Sequence, residues 1–355
     1  MSRRTILRQL WAAGAAAPFL GIEVAAAQSA TTIADEEYIA RFVHPELRAQ
    51  ARQFAAMGAA MPPFTPASLS MMRKGMGAVA ARKLAVPAIE MRQIPGRAGQ
   101  PPVSIHVVNA KPGGHRPAIV HMHGGGYIMG DATQNLFDLQ KICEALDCLA
   151  VSVDYRLAPE TTYLGSSEDN YLALKWVHAN AEQLGVDPAR IAVMGESAGG
   201  GHAANLAILA RDRGEVPVAF QCLIYPMIDD RTGSTQNPAP HIGRLLWTRE
   251  RNATAWRMFL GATPGRSKIP AAAAPARVTN LNGLPPAFIG VGTLDLFYDE
   301  DVDFAQRLNA AGVMTELIVV PGAFHGFDAA DVPVVQRFNA AKREALRRGL
   351  GIAPS

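Results

Sequence analysis

The sequence predicts an α/β protein with a mostly parallel central sheet that is covered by helices on both faces. From about residue 101 onward, short runs rich in β-branched residues alternate with longer helical patterns. Alternation of apolar strands with helices is typical of a parallel sheet that is buried on both sides. Of the 355 residues, 49% are hydrophobic and 18% are charged, so the chain can bury a large core.

The predicted elements follow one another in a strand–helix order. The predicted strands are 104–109, 118–123, 149–154, 191–195, 218–225, 287–291 and 316–320. The predicted helices are 135–146, 167–184, 198–213, 300–311 and 334–348.

Two regions interrupt this order and suit a helical cap over the functional edge of the sheet. Residues 28–90 show a helical periodicity of Met and Ala and contain no clear strand. Residues 229–283 combine a polar loop, a Trp-bearing amphipathic helix over 245–260 and an Ala/Pro-rich return. We therefore expect a core made of 91–228 and 284–355, with the cap made of the other two regions.

The first 27 residues have the pattern of an export signal. Arg3 and Arg4 lie in a basic opening, and an apolar stretch from 10 to 22 precedes three small residues at 25–27. The paired arginines followed by Ile-Leu are similar to a twin-arginine signal, and the apolar stretch is too short to span a bilayer. We expect a periplasmic or secreted protein without an integral membrane span. The alternative is a retained amphipathic helix and a cytoplasmic location.

Charge and cysteine usage exclude several classes of partner. The net charge is +3, and no Lys/Arg cluster occurs beyond the first residues, which argues against nucleic-acid binding. Cys143, Cys148 and Cys222 have no metal-ligand spacing, and a disulfide between the first two remains an alternative to free thiols. We expect neither a metal nor an organic cofactor.

A serine lies in a pattern that favours nucleophilic chemistry. Residues 195–199 read Gly-Glu-Ser-Ala-Gly and stand between a predicted strand and a predicted helix. A serine on such a sharp turn projects its hydroxyl, and small neighbours prevent clashes there. Free N–H groups at the helix N-terminus also favour negative charge that develops near Ser197. The motif in this context predicts that Ser197 is a nucleophile.

A glycine-rich loop follows the predicted strand 118–123. Its residues 123–126 read His-Gly-Gly-Gly, and backbone N–H groups in such a loop can approach a ligand without obstruction. Together with the residue after the nucleophile, the loop would form an oxyanion hole, with His123 and Gly124 as its support. A metal site built on His121 and His123 is the competing interpretation, but no third ligand follows at suitable spacing.

The general base and its acid partner are expected late in the chain. In folds with this serine turn, the acid and then the histidine follow the nucleophile. His325 follows the strand 316–320, and Asp295 follows the strand 287–291. The rival carboxylates fall on the next helix, where acidic residues suit the first turn: Asp299, Glu300, Asp301 and Asp303. Ser197, Asp295 and His325 are therefore the predicted catalytic residues.

Taken together, the motifs resemble those of the hormone-sensitive-lipase group of bacterial carboxylesterases, which have the α/β-hydrolase fold. The resemblance covers about residues 105–327. Its five motifs are 123–126, Asp-Tyr-Arg-Leu-Ala-Pro-Glu at 154–160, 195–200, 295–300 and 325–327. It implies a Ser197, Asp295 and His325 triad, with the N–H groups of Gly125, Gly126 and Ala198 as oxyanion donors.

The resemblance also implies an activity. It predicts a serine carboxylesterase that hydrolyses short- to medium-chain esters of a small-molecule substrate through an acyl-enzyme on Ser197. Because the same triad serves other acyl groups, an amide, formamide or lactone hydrolase is the alternative. A non-catalytic ligand receptor of this fold is a remote alternative, since such receptors lack the histidine that is present here as His325. A homodimer is compatible with this reading.

Overall fold

Eight strands form one sheet in the computed structural model, which describes residues 32–77, 83–270 and 272–354. The strands are β1 (Ile89–Ile94), β2 (Val103–Val108), β3 (Arg116–Met122), β4 (Leu149–Asp154), β5 (Val186–Glu196), β6 (Phe220–Ile224), β7 (Ala287–Gly292) and β8 (Thr315–Val320). Their order across the sheet is β1-β2-β4-β3-β5-β6-β7-β8.

The described helices surround this sheet or precede it. They are α1 (Ile33–Phe42), α2 (Arg48–Ala60), α3 (Pro66–Gly77), α4 (Leu136–Leu146), α5 (Tyr163–Ala179), α6 (Ala181–Leu184), α7 (Ala198–Arg213), α8 (Arg249–Leu260), α9 (Tyr298–Ala310) and α10 (Pro333–Gly349). Short 3-10 helices occupy Pro45–Leu47, Pro275–Arg277 and Phe327–Ala329.

The sheet brings the functional loops to one edge. β2 pairs antiparallel with β1 and β4, whereas β4, β3, β5, β6, β7 and β8 run parallel. Two clusters of buried apolar side chains cover the sheet, as expected of strands that are buried on both faces. Because parallel strands end at the same edge, the segments after β3, β5, β7 and β8 meet there. The predicted α/β fold with a mostly parallel sheet is confirmed.

Two local features differ from the sequence prediction. The edge strand β1 was not predicted, because most of its residues are partly or fully exposed and its composition lacks a clear apolar alternation. The predicted helix 167–184 is two helices, α5 and α6, with a break at Asn180. Its side-chain amide donates to the Trp176 carbonyl (2.8 Å), which competes with regular helix bonding.

The helical segment 33–77 and the segment 229–283 contact each other. Arg251 donates from Nη2 to the Gly58 carbonyl (2.6 Å) and from Nη1 to the Leu246 carbonyl (2.5 Å). The Tyr38 hydroxyl donates to the carbonyl of His241 (2.9 Å). These bonds hold two regions that are far apart in sequence against one another.

No helix in the described ranges combines the length and the apolar character needed to cross a membrane. The predicted export signal, residues 1–27, lies outside the described residues.

One buried histidine is held in its neutral form by its surroundings. His202 lies on α7, with its ring centroid 4.5 Å from Tyr155, 4.8 Å from Tyr127 and 5.6 Å from Phe259. Burial, with a smaller contribution from the neighbouring His123, lowers the pKa of His202 to about 3.

We therefore expect His202 to make the fold sensitive to acid. The unfolded chain binds a proton at this residue below pH 6.5, whereas the native chain does not until about pH 3. The free energy of unfolding should fall by up to about 1.4 kcal/mol per pH unit in this window. Urea unfolding at pH 7 and pH 4.5 should give a smaller fall in the free energy of unfolding for His202→Leu than for the wild-type protein. The exposed His115→Leu serves as control, and equal falls in both variants would contradict the prediction.

Candidate active site

Ser197 occupies a strained turn between β5 and α7. Its backbone has φ 58° and ψ −122°, a region that non-glycine residues rarely adopt. The surrounding chain holds this conformation: the Ser197 N–H donates to the Ile224 carbonyl (2.9 Å), and the Ser197 carbonyl accepts from the N–H of Met227 (2.9 Å). The turn places the Ser197 side chain at the carboxyl edge of the sheet.

Glycine is required on both sides of this turn. A Cβ at Gly195 would lie 2.3 Å from the carbonyl carbon of Gly199. A Cβ at Gly199 would lie 2.0 Å from the Met122 carbonyl oxygen. Neither distance is compatible with a side chain, so steric exclusion explains why both positions of the motif are glycine.

Three predicted residues form one chain of hydrogen bonds. His325 Nε2 lies 2.9 Å from Ser197 Oγ, and His325 Nδ1 lies 2.9 Å from Asp295 Oδ2 and 3.1 Å from Oδ1. All three residues are buried. A carboxylate only accepts hydrogen bonds, so Nδ1 carries the proton, and the neutral ring accepts the Ser197 hydroxyl at Nε2.

The loop after β7 fixes the carboxylate of Asp295. Its Oδ1 accepts a hydrogen bond from the Phe297 N–H (3.0 Å), and its backbone N–H donates to the Gly292 carbonyl (3.1 Å). This loop is also bonded to the one that carries His325, because the Leu294 N–H donates to the Ala323 carbonyl (2.9 Å). The acid and the base are thus positioned by a common backbone network.

The rival carboxylates of α9 have other surroundings. Glu300 Oε1 accepts from the N–H groups of Ile228 (2.7 Å) and Asp229 (3.1 Å), and burial raises the pKa of Glu300 well above its usual value. Burial likewise raises the pKa of Asp301, whose carboxylate oxygens have no hydrogen-bond partner among the described residues. Asp299 and Asp303 are exposed. In the described part of the chain, none of these four is hydrogen-bonded to His325.

The glycine loop after β3 turns its backbone toward the same cavity. Gly125 and Gly126 have φ 122° and 62°, which favour glycine, and a Cβ at Gly126 would lie 2.2 Å from the Trp247 ring. Among the described residues, the N–H groups of Gly125, Gly126 and Ala198 donate to no protein acceptor. Gly125, Gly126 and Ser197 line one cavity of about 130 Å³ together with His325. The three N–H groups therefore have no acceptor among the described residues, and two of them belong to residues that line the cavity.

Both histidines near this loop are engaged in separate contacts. His123 Nδ1 lies 2.8 Å from the Gly124 carbonyl, and its ring stacks on Tyr155 at 4.2 Å. His121 Nε2 lies 2.8 Å from Glu196 Oε2. In the residues that the structure describes, no cluster of His, Cys, Asp and Glu side chains could hold a metal ion. His123 thus acts as a packing partner of the glycine loop.

Sequence reasoning did not assign a site role to Trp247, which it placed in a helix from 245 to 260. The structure instead has a three-residue turn, in which the Trp247 N–H donates to the Leu245 carbonyl (2.6 Å) and Leu246 has φ 57°. Trp247 Nε1 donates to the buried Asn252 side chain (3.1 Å). With Phe54 and Leu246, Trp247 forms an apolar wall of the cavity. The place of Trp247 in the cavity wall follows only from its contact with Gly126 and from the turn at Leu246.

Comparison with known proteins identifies the family of the chain. A model of the family described as the alpha/beta hydrolase fold matches residues 119–329. Carboxylesterase NlhH of Mycobacterium tuberculosis is 39% identical over 66% of this chain and 74% of its own length. The carboxylic ester hydrolase LipN of the same organism is 32% identical over 78% of this chain and 73% of its own length.

Solved structures of esterases share the fold over most of the chain. A bacterial heroin esterase superposes with a TM-score of 0.77 at 37% identity, covering 87% of this chain and 98% of the other. Esterase LipW of Mycobacterium marinum superposes with a TM-score of 0.73 at 33% identity, covering 88% of this chain and 96% of the other. The chain belongs to the α/β-hydrolase family and, within it, to the hormone-sensitive-lipase-like carboxylesterases whose motifs its sequence carries.

Proposed function

We propose that the protein is a serine carboxylesterase that hydrolyses short- to medium-chain esters through an acyl-enzyme on Ser197. The observation that carries this proposal is the buried hydrogen-bonded chain from Ser197 Oγ through His325 to Asp295. The relatives named carboxylesterase NlhH, esterase LipI and carboxylic ester hydrolase LipN support it.

In the first step, Ser197 Oγ attacks the ester carbonyl carbon while His325 Nε2 takes the hydroxyl proton. The carbonyl electron pair moves onto oxygen, and the N–H groups of Gly125, Gly126 and Ala198 bind the resulting oxyanion. One such donor is worth about 2.7–4 kcal/mol of transition-state stabilisation. Asp295 holds the Nδ1–H tautomer and stabilises the imidazolium.

In the second step, the oxyanion collapses, and the bond between the carbonyl carbon and the alcohol oxygen breaks. His325 gives its proton to the leaving alcohol, which leaves an ester on Ser197. Water then attacks this ester while His325 takes the proton of the water. The second collapse releases the carboxylic acid and returns the proton to Ser197 Oγ.

The apolar wall of the cavity is the evidence for a substrate with a short or medium acyl chain. Phe54 comes from the segment 33–77, and Leu246 and Trp247 come from the segment 229–283, so both segments narrow the cavity. We infer that these segments form a cap over the core, as the domain division of the sequence predicts. A cavity of about 130 Å³ is small for a long acyl chain.

We also infer that residues 1–27 direct the protein to the periplasm or outside the cell. The paired Arg3 and Arg4 and the small residues at 25–27 support this inference. Fusion of these residues to a reporter, with and without Arg3→Lys and Arg4→Lys, tests it, because a twin-arginine signal should lose export in the variant.

We expect hydrolysis of p-nitrophenyl esters, from acetate to palmitate, to peak at a short acyl chain. Ser197→Ala should lower kcat/KM by at least about 10⁴-fold, because the nucleophile is lost. Spectrophotometric rates of the two proteins, compared at equal folded concentration, provide the measurement. A Ser197→Ala protein that keeps most of its activity would refute the assignment, and cleavage of anilides with no ester cleavage would favour the amidase alternative.

Asp295→Asn should lower kcat by about 10³–10⁴-fold with little change in KM. An amide can donate to Nδ1, which stabilises the wrong tautomer of His325 and leaves substrate binding intact. Steady-state kinetics on the best ester of the series measures the effect. The exposed Asp303→Asn is the matched control and should behave like the wild type. A similar loss in both variants would show that Asp295 is not the acid partner.

Trp247→Ala should shift the preferred ester toward longer acyl chains or bulkier alcohols. The change removes the ring that closes the cavity beside Gly126. The same ester series measures the shift. Trp176→Ala is the control, because the Trp176 ring faces Arg92 at the sheet edge. An unchanged profile would mean that Trp247 does not limit the substrate.

A further inference from the structure

The proposed general base lies in a loop outside regular secondary structure. His325 stands between β8, which ends at Val320, and the 3-10 helix that begins at Phe327. Its backbone is therefore not held by the bonding ladder of a strand or helix. A general base must stay within hydrogen-bond reach of the hydroxyl whose proton it takes, and a misplacement of about 1 Å can cost roughly 10²-fold in rate. The contacts that hold this loop thus bear directly on catalysis.

The sheet core holds the backbone of this loop before His325. The Leu294 N–H donates to the Ala323 carbonyl (2.9 Å), and the Gly322 N–H donates to Thr293 Oγ1 (2.8 Å). Both bonds come from the loop that carries the acid of the triad. They fix the side of the loop through which the chain enters from β8, and the exit side depends on other contacts.

The N-terminal helices hold the same loop from outside the core. The His44 N–H donates to the Gly322 carbonyl (3.0 Å), and the two backbones are so close that a Cβ at Gly322 would lie 2.5 Å from the His44 nitrogen. Gln50 on α2 donates from Nε2 to the Gly326 carbonyl (3.3 Å). The N-terminal segment therefore bonds to the loop on both sides of His325.

The bond from Gln50 acts on the residue directly after the base. Gly326 has φ 78°, a conformation in which glycine is free to rotate where other residues are not. Among the described residues, the other donor to its carbonyl is the Ala329 N–H at 3.5 Å, which is the limit of a hydrogen bond. Gln50 therefore supplies the stronger restraint on the chain where it leaves His325.

The structure keeps Gln50 at a cost in stability. The side chain is buried, and its Oε1 has no hydrogen-bond partner among the described residues. A buried carbonyl oxygen without a donor destabilises the folded state, whereas an apolar side chain of similar length does not. Stability alone would favour methionine at this position, so the bond from Gln50 to Gly326 has another reason.

Gln50 is separated from the substrate but shares a helix face with a residue of the cavity wall. In the described chain, the cavity is lined by Phe54 and Gly326 but not by Gln50. Gln50 and Phe54 are four residues apart on α2, so they lie on one face of it. The Phe54 ring also packs edge-on against Phe324, with centroids 5.6 Å apart. Docking of this face onto the loop thus sets the apolar wall and the Gly326 bond together.

We propose that Gln50 is a positioning residue for His325. By holding Gly326, it keeps the imidazole aligned between Asp295 and Ser197. This inference rests on the proposed esterase function and adds a residue to its machinery. The N-terminal helices then have a role besides narrowing the cavity, because their docking completes the alignment of the general base.

Gln50→Met should lower kcat on p-nitrophenyl esters by about tenfold and change KM by less than about twofold, because it disturbs the base and leaves the cavity wall in place. The loss should be the same for every acyl chain that the wild-type protein hydrolyses. The midpoint of urea unfolding should equal or exceed that of the wild type, because the variant removes the unpartnered oxygen.

Two further variants complete the comparison. Gln50→Glu keeps the side-chain length but, when ionised, presents acceptors alone, so it should lower kcat at least as much as Gln50→Met. Gln53→Met is the matched control, because Gln53 lies on the exposed face of the same helix. It should keep the wild-type kcat and KM.

Three outcomes would overturn the role of Gln50 and leave the esterase proposal intact. A wild-type kcat in Gln50→Met would show that the bond does not position His325. A changed KM or acyl-chain profile with unchanged kcat would mean that α2 serves the cavity wall alone. A lower urea midpoint together with lower activity would give Gln50 a merely structural role. A folded wild-type protein that hydrolyses none of the esters would instead overturn both proposals.

Discussion

The left-handed backbone of Ser197 is the constraint on which the rest of the site depends. It is an unfavourable conformation for a residue with a side chain, and it costs of order 1–3 kcal/mol. Hydrogen bonds to Ile224 and from Met227 maintain it, together with glycines that let β5 and α7 approach. Because the turn fixes the direction of the Ser197 Cα–Cβ bond, the hydroxyl projects toward His325 Nε2, which lies 2.9 Å from Ser197 Oγ.

The carboxylates beside this turn differ in how completely the protein hydrogen-bonds them. On the catalytic side, Asp295 accepts from Phe297 and His325, so its negative charge is compensated in the resting protein. Among the carboxylates that line the cavity, Glu196 is paired with His121 and Asp328 accepts from Tyr225, whereas Asp138 accepts no hydrogen bond from a described residue. The acid of the triad is thus fully hydrogen-bonded, whereas the carboxylates that line the cavity differ in their hydrogen bonding.

The apolar side of the cavity depends on contacts between distant segments. Arg251 and Asn252 are adjacent on α8, and they hold the strained turn at Leu246 and the ring of Trp247. Arg251 also reaches Gly58, so the position of Trp247 is coupled to the N-terminal helices. Burial lowers the pKa of Arg251, as expected for a guanidinium that is used to join two backbones within the protein.

The sequence by itself determined the fold class and the residues of the hydrogen-bonded chain. Apolar strand runs alternate with helices, and the serine, glycine, aspartate and histidine motifs each sit where a strand ends, so local pattern and chain order were sufficient. The edge strand β1 escaped detection because it is largely exposed and its apolar alternation covers only four residues. The turn at Leu246 escaped because its conformation is imposed by Arg251 and Asn252 rather than by its own residues.

Only the tertiary structure decided what surrounds the reacting groups. Asp138, Glu196 and Asp328 come from separate elements and share no sequence spacing, so nothing local indicates that they line one cavity. The same holds for Phe54 and Trp247. A catalytic motif can be recognised because its chemistry requires fixed residue types beside a turn. A pocket wall is formed by side chains that long-range packing brings together, and packing is a property of the folded chain.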